Sequence, residues 1–122
     1  MGKSTVWVIQ ESVIPGSSGT PIDYAPAEQY GEVQFVLTLE PSKRDNSAIN
    51  AQIFEQLMRM AMLFNESTDY LVLTGSPLAI FMTGMALTSF DKSPTILVWD
   101  RRAAVYRPVE SNKWLTEVIA SE

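Results

Sequence analysis

Apolar residues fall along the chain in two rhythms, short runs of strand character and longer stretches at helical spacing. Lys3–Gln10 is rich in β-branched and aromatic residues and reads as a first strand, with Glu32–Leu39 as a second. From Ala48 to Asn65 the residues Ile49, Ile53, Leu57, Met60, Ala61 and Phe64 recur on one side of a helix, opposite Gln52, Glu55, Gln56 and Arg59. Phe54, Met58 and Met62 add a second apolar edge, wider than packing on one sheet requires. That edge is the expected interface of a homo-oligomer. Asp69–Thr74 is a continuous apolar run of the kind buried on both faces of a sheet. Ser76 then supplies an N-cap and Pro77 a first helical residue for Leu78–Thr88, a helix apolar almost all round and so expected to be buried on both sides.

Pro94 precedes a last buried strand, Thr95–Asp100, and Arg101-Arg102-Ala103 turns it into an antiparallel partner, Ala104–Glu110. Lys113–Ala120 suits a short helix or an extra strand. Between the first two strands, residues 13–31 hold Pro15, Pro21, Pro26 and the run Gly16-Ser17-Ser18-Gly19, which oppose regular structure. Connections this long are often functional or mobile. The order strand, helix, strand, helix, strand predicts right-handed crossovers. The expected fold is therefore one α/β domain over residues 1–122, with a small mixed sheet of about five strands, parallel at its centre and antiparallel at its edge hairpin, packed with two main helices.

Composition narrows the chemistry. The 122 residues include no Cys and no His, which removes thiol nucleophiles, the Ser-His-Asp triad and the common zinc, copper and haem ligand sets. Acid–base work would fall to carboxylates such as Asp69, Asp91 and Asp100, and Asp100 with Mg²⁺ is the best placed of them. One carboxylate without a partner is a thin basis, so a non-enzymatic protein without a cofactor is expected. The amino-terminal residues lack the apolar core of a signal peptide, and no run reaches the length of a membrane span, which predicts a cytoplasmic protein. The net charge of −5 argues against a generally basic surface, although a local basic groove on an acidic body is enough for a single-strand binder.

Two constellations could carry function. Trp99, Arg101, Arg102, Tyr106 and Arg107 crowd the edge hairpin, and Lys43 and Arg44 lie in the loop after the second strand. Arginine planes and aromatic faces are what grip single-stranded nucleic acid, because bases stack while phosphates pair. The plainer alternative is that Trp99 caps the core and Asp100 pairs with Arg102 or Arg107 across the hairpin. The second constellation is Thr74, Gly75 and Ser76 at a helix N-terminus, which would suit a phosphate or other anion. It matches neither the Walker A pattern nor G-x-G-x-x-G, and Gly75 and Ser76 also suit a tight turn and a cap.

The stretch from Asp69 through Leu73-Thr74-Gly75-Ser76-Pro77-Leu78-Ala79-Ile80, followed by Trp99-Asp100-Arg101 and Tyr106-Arg107-Pro108-Val109, resembles a group of small bacteriophage proteins with a similar turn and hairpin. The resemblance implies a phage or prophage origin and action in the host cytoplasm, and supplies no catalytic residues. Three functions remain open on these grounds. The first is binding of single-stranded nucleic acid, DNA above all, in phage replication or transcription. The second is binding of a small nucleotide or phosphorylated ligand at residues 74–77. The third is a homo-oligomeric interaction protein with no ligand.

Overall fold

The computed structural model describes residues 4–14, 16–44 and 47–121. The expected strand residue Lys3, the loop residue Pro15 and the loop residues Asp45 and Asn46 lie outside them. Five strands, β1 (Thr5–Gln10), β2 (Glu32–Leu37), β3 (Tyr70–Val72), β4 (Thr95–Asp100) and β5 (Val105–Glu110), form one sheet in the order β2-β1-β3-β4-β5. The first four are parallel, and β5 returns antiparallel to β4 with Trp99 opposite Tyr106 and Val98 opposite Arg107. The expected α/β fold with a parallel centre and an antiparallel edge is the fold observed.

Helix α1 (Ser47–Leu63) connects β2 to β3, and α2 (Pro77–Ser89) connects β3 to β4. Both pack on one face of the sheet, where Ile53, Leu57, Met60 and Ala61 of α1 meet Ala79, Ala86 and Leu87 of α2 and Ile9 and Leu71 of the sheet. Phe54 and Met58 are half-buried against this same core, because α2 lies alongside α1 and takes up the second apolar edge. Of the three residues expected to join copies of the chain, Met62 alone is exposed, at 57%.

The ends of α2 follow from its sequence. Ser76 Oγ accepts from the Ala79 N–H at 3.2 Å, with Pro77 just inside. At the other end Asp91 adopts a left-handed φ of 58°, and the N–H groups of Asp91 and Lys92 return to the carbonyls of Thr88 and Leu87. That is a Schellman ending with aspartate at the position glycine usually holds. The expectation that α2 is covered on both sides fails. Ala79, Thr83, Ala86 and Leu87 are buried, but Phe81 and Met85 are exposed, and no element among the described residues covers them. The carboxyl-terminal stretch is a helix, α3 (Trp114–Ala120), entered through a 3-10 turn at Ser111–Lys113.

The long segment between β1 and β2 is the largest departure from the sequence reading. A crossover moving in the opposite direction along the sheet must lie on the opposite face if it is right-handed. It does so, and builds a second core in which the one helical element among the described residues is a 3-10 turn at Ala25–Ala27. Tyr24 and Ala27 are buried there with Val6, Val8, Val72, Leu97 and Tyr106. A bridge between Val13 and Pro21 ties the segment to itself. The Tyr30 hydroxyl donates to the Tyr106 carbonyl at 2.9 Å and ties it to the far edge strand. Aromatic edges complete the anchoring, Tyr24 on Phe35 and Tyr30 on Tyr70, at 5.5 and 5.1 Å between centroids.

Candidate nucleic-acid interface

All four parallel strands end at one edge of the sheet, so residues far apart in sequence meet there. In open α/β sheets this carboxyl edge is where ligands bind, near the point where the crossover direction reverses. Here the reversal falls between β1 and β3. The gap is stitched closed: Thr74 Oγ donates to the Gln10 carbonyl at 2.5 Å and accepts from the Gln10 N–H at 3.3 Å. Gly75 follows with φ of 105°, and a Cβ there would collide with the Gln10 side chain, so the turn requires glycine. The hydroxyls of Thr74 and Ser76 are thus both engaged within the fold, and Pro77 has no N–H to offer.

The open space lies beside this seam, on the face covered by the β1–β2 segment. A cleft of 880 Å³ runs between that segment and the carboxyl ends of β3 and β4. Val72, Leu97 and Tyr106 line it from the sheet, Ile14, Ile22 and Tyr24 from the segment, and Thr74, Asp23, Trp99 and Arg101 add polar or aromatic groups. A concave, largely apolar space of this size with a few polar groups is the usual form of a ligand site. The contribution of the β1–β2 segment was not foreseen. The available signal was Ile22, Tyr24 and Tyr30 within a Pro- and Gly-rich stretch, since such side chains in a loop need an apolar surface to lie on.

The hairpin residues divide by role. Trp99 is 42% exposed and stands edge-on to Tyr106, with 5.0 Å between ring centroids. Tyr106 is buried, so it contributes to the cleft wall and is no free stacking platform. Burial, with Tyr24 and Asp23 nearby, raises the Tyr106 pKa above its ordinary value. Arg107 donates from Nε to Asp100 Oδ2 at 2.7 Å, while Asp100 Oδ1 accepts from the N–H groups of Arg102 and Ala103. Both oxygens of Asp100 therefore hold the hairpin turn, in which Ala104 takes a left-handed φ of 54°. Among the described residues Arg101 and Arg102 have no ion-pair partner, and both are exposed.

The hydrogen bond from Arg107, aided by the Ala103 N–H, lowers the Asp100 pKa below the ordinary 3.8. With the folded value below the unfolded one, this carboxylate adds stability above the unfolded pKa and loses it as pH falls through the folded pKa. A carboxyl titration followed by NMR is expected to place Asp100 below 3.8 and to move it upward in Arg107→Gln. An unchanged midpoint in that variant would contradict the pairing.

Lys43 and Arg44 are exposed in the loop after β2, held by Asn50 of α1, which accepts from the Ser42 N–H at 2.7 Å and donates to its carbonyl at 3.2 Å. They open on the same edge as the hairpin, but β1 and β3 stand between. Three strand spacings put β2 and β4 about 14 Å apart, so only an extended ligand could reach both groups. Among the described residues no three carboxylates gather as a metal site would need, and no helix is long and apolar enough to cross a membrane.

Fold and cleft together define a small open-sheet α/β protein with a ligand-sized space at its carboxyl edge and a basic hairpin at the rim. A family model described as phage Pam3 gp32-like protein matches residues 4–113, and the chain belongs to that family. This is a phage protein family, as the turn and hairpin suggested. No curated protein and no solved structure matches the chain.

Proposed function

We propose that the chain is a non-enzymatic binding protein for single-stranded nucleic acid, DNA above all, serving phage replication or transcription in the host cytoplasm. The observation that carries the reading is Trp99, half-exposed beside Arg101 at an 880 Å³ cleft. A base stacked on Trp99 would contribute about 1–3 kcal/mol, and the adjoining phosphates would meet Arg101 and Arg102. A strand continuing along the carboxyl edge would then reach Lys43 and Arg44. The net charge of −5 opposes non-specific coating, so binding rests on these few contacts.

An electrophoretic shift assay over a salt series tests this. Wild-type affinity is expected to fall as salt rises, by about 0.7 log unit per log unit of salt for each phosphate neutralised. Arg101→Ala with Arg102→Ala is expected to weaken binding and flatten that slope. Equal affinity and slope in the variant would refute the hairpin as the contact.

The concave shape of the cleft favours a second reading, in which a free nucleotide or phosphorylated ligand sits beside residues 74–77. That reading predicts a rise in melting temperature with added mononucleotide, lost in Gly75→Val, and no shift of oligonucleotides.

A further inference from the structure

We infer that the outer face of α2 and the exposed face of α3 join two copies of this chain about a two-fold axis, with Phe81 of each copy seated over Gly84 of the other. From Ser76 to Phe90 the chain has no charged residue, yet Phe81 is 65% and Met85 48% exposed. Every residue of α3 is exposed, including Trp114, Leu115, Val118 and Ile119, each more than half. A seven-residue helix does not persist in water by its own hydrogen bonds and needs a surface to lie on. The two faces are continuous, because Trp114 shares a depression with Ile80, Gly84 and Thr88 of α2.

Gly84 points to the occupant. It sits in the middle of α2, where glycine weakens a helix, and a Cβ there would meet nothing within 4 Å. Nothing among the described residues calls for glycine here, whereas the close approach of a second helix would. Beside it lies a groove of 520 Å³, walled by Phe81 and Met85. Hole and projecting ring thus stand three residues apart on one helix, as neighbours on its surface. A two-fold contact pairs residue i with j and j with i, and so uses both at once. The six exposed apolar side chains present roughly 600 Å² to solvent, near the upper range for a monomer surface and most of the roughly 800 Å² each partner buries in a standard interface. Within α2 and α3 the one charged residue is Glu117, so the two helices offer little to a partner recognised by charge. Because α2 lies on the opposite side of the sheet from the cleft, the dimer would leave both clefts open.

Sedimentation velocity of the full chain across a concentration series tests the proposal. A reversible monomer–dimer equilibrium is expected. Phe81→Glu and Gly84→Arg should each raise the dimer Kd about thirtyfold or more, and Gly84→Ala should raise it while keeping the helical circular dichroism intact. Met62→Glu, the same kind of change on the exposed end of α1, should leave the dimer as it is. A chain that stays monomeric at every concentration would overturn the proposal, and so would a dimer that survives all three changes on α2.

Discussion

Replacing Asp69 by Ala is expected to lower the stability of the protein by about 3–4 kcal/mol. Asp69 is 6% exposed, and its carboxylate accepts four hydrogen bonds from uncharged donors. These are the Thr5 N–H at 3.1 Å, the Trp7 indole N–H at 3.0 Å, the Asn65 N–H at 3.0 Å and the Thr68 hydroxyl at 3.1 Å. One side chain thereby joins the exit of α1 to the amino ends of β1 and β3. Removing it leaves partly buried donors without an acceptor, each costing about 1–3 kcal/mol before water or relaxation recovers part of the loss. The melting temperature should fall by roughly 10–15 °C for a chain of this length. Asp69→Asn keeps one acceptor oxygen and turns an NH₂ toward a donor, so about half the loss is expected. Because Asp69 lies at the amino edge, opposite the cleft, oligonucleotide affinity below the transition should not change. Thermal and urea unfolding of the three proteins decide this, and a loss under about 1 kcal/mol in Asp69→Ala would show that water replaces the carboxylate.

Lys92→Met is expected to cost about 2–3 kcal/mol by the loss of a different tie. The Lys92 ammonium donates to the carbonyls of Ala61, Met62 and Phe64 at 2.8, 2.8 and 2.6 Å. Three donors converge on the last turn of α1, where unpaired carbonyls and the negative end of the helix dipole favour a cation. Lys92→Arg should not restore the loss, because a planar guanidinium cannot direct its N–H groups at three carbonyls grouped around one point. Lys92 reaches Phe64 and Asp69 reaches Asn65, so the two changes share the end of α1. The double variant is expected to lose less than the sum of the singles. Strict additivity in urea unfolding would show that the two ties act independently.

Neither tie was legible in the sequence. Asp69 read as the start of a strand, and nothing in the pattern singled out Lys92, because long-range hydrogen bonds leave no periodic trace. What could be read was whatever depends on local rhythm and turn chemistry. The apolar spacing of α1, the Ser76-Pro77 start of α2 and the Thr95–Asp100 strand all came from such signals. The β1–β2 segment escaped because its burial is aperiodic: Tyr24 and Ala27 pack through a 3-10 turn and a bridge, with no helical or strand period to detect. The same limit applied to α2. Uniform apolarity predicts burial all round, but it carries no period to show which side meets the sheet, and Phe81 and Met85 are exposed on the other. At the candidate site the clustering of Trp99 with Arg101 and Arg102 was readable, and so was Asp100 as the partner of Arg102 or Arg107, while the choice of Arg107 and the burial of Tyr106 depend on cross-strand register.

The central claim, that the hairpin cleft takes a base of single-stranded nucleic acid, is tested most directly by tryptophan fluorescence during titration with a short single-stranded DNA at low salt. The chain has three tryptophans, and Trp99 alone lines the cleft. Quenching that saturates with DNA, reverses with added salt and disappears in Trp99→Phe is the predicted result. No quenching in the wild type, or equal quenching in Trp99→Phe, would contradict the account.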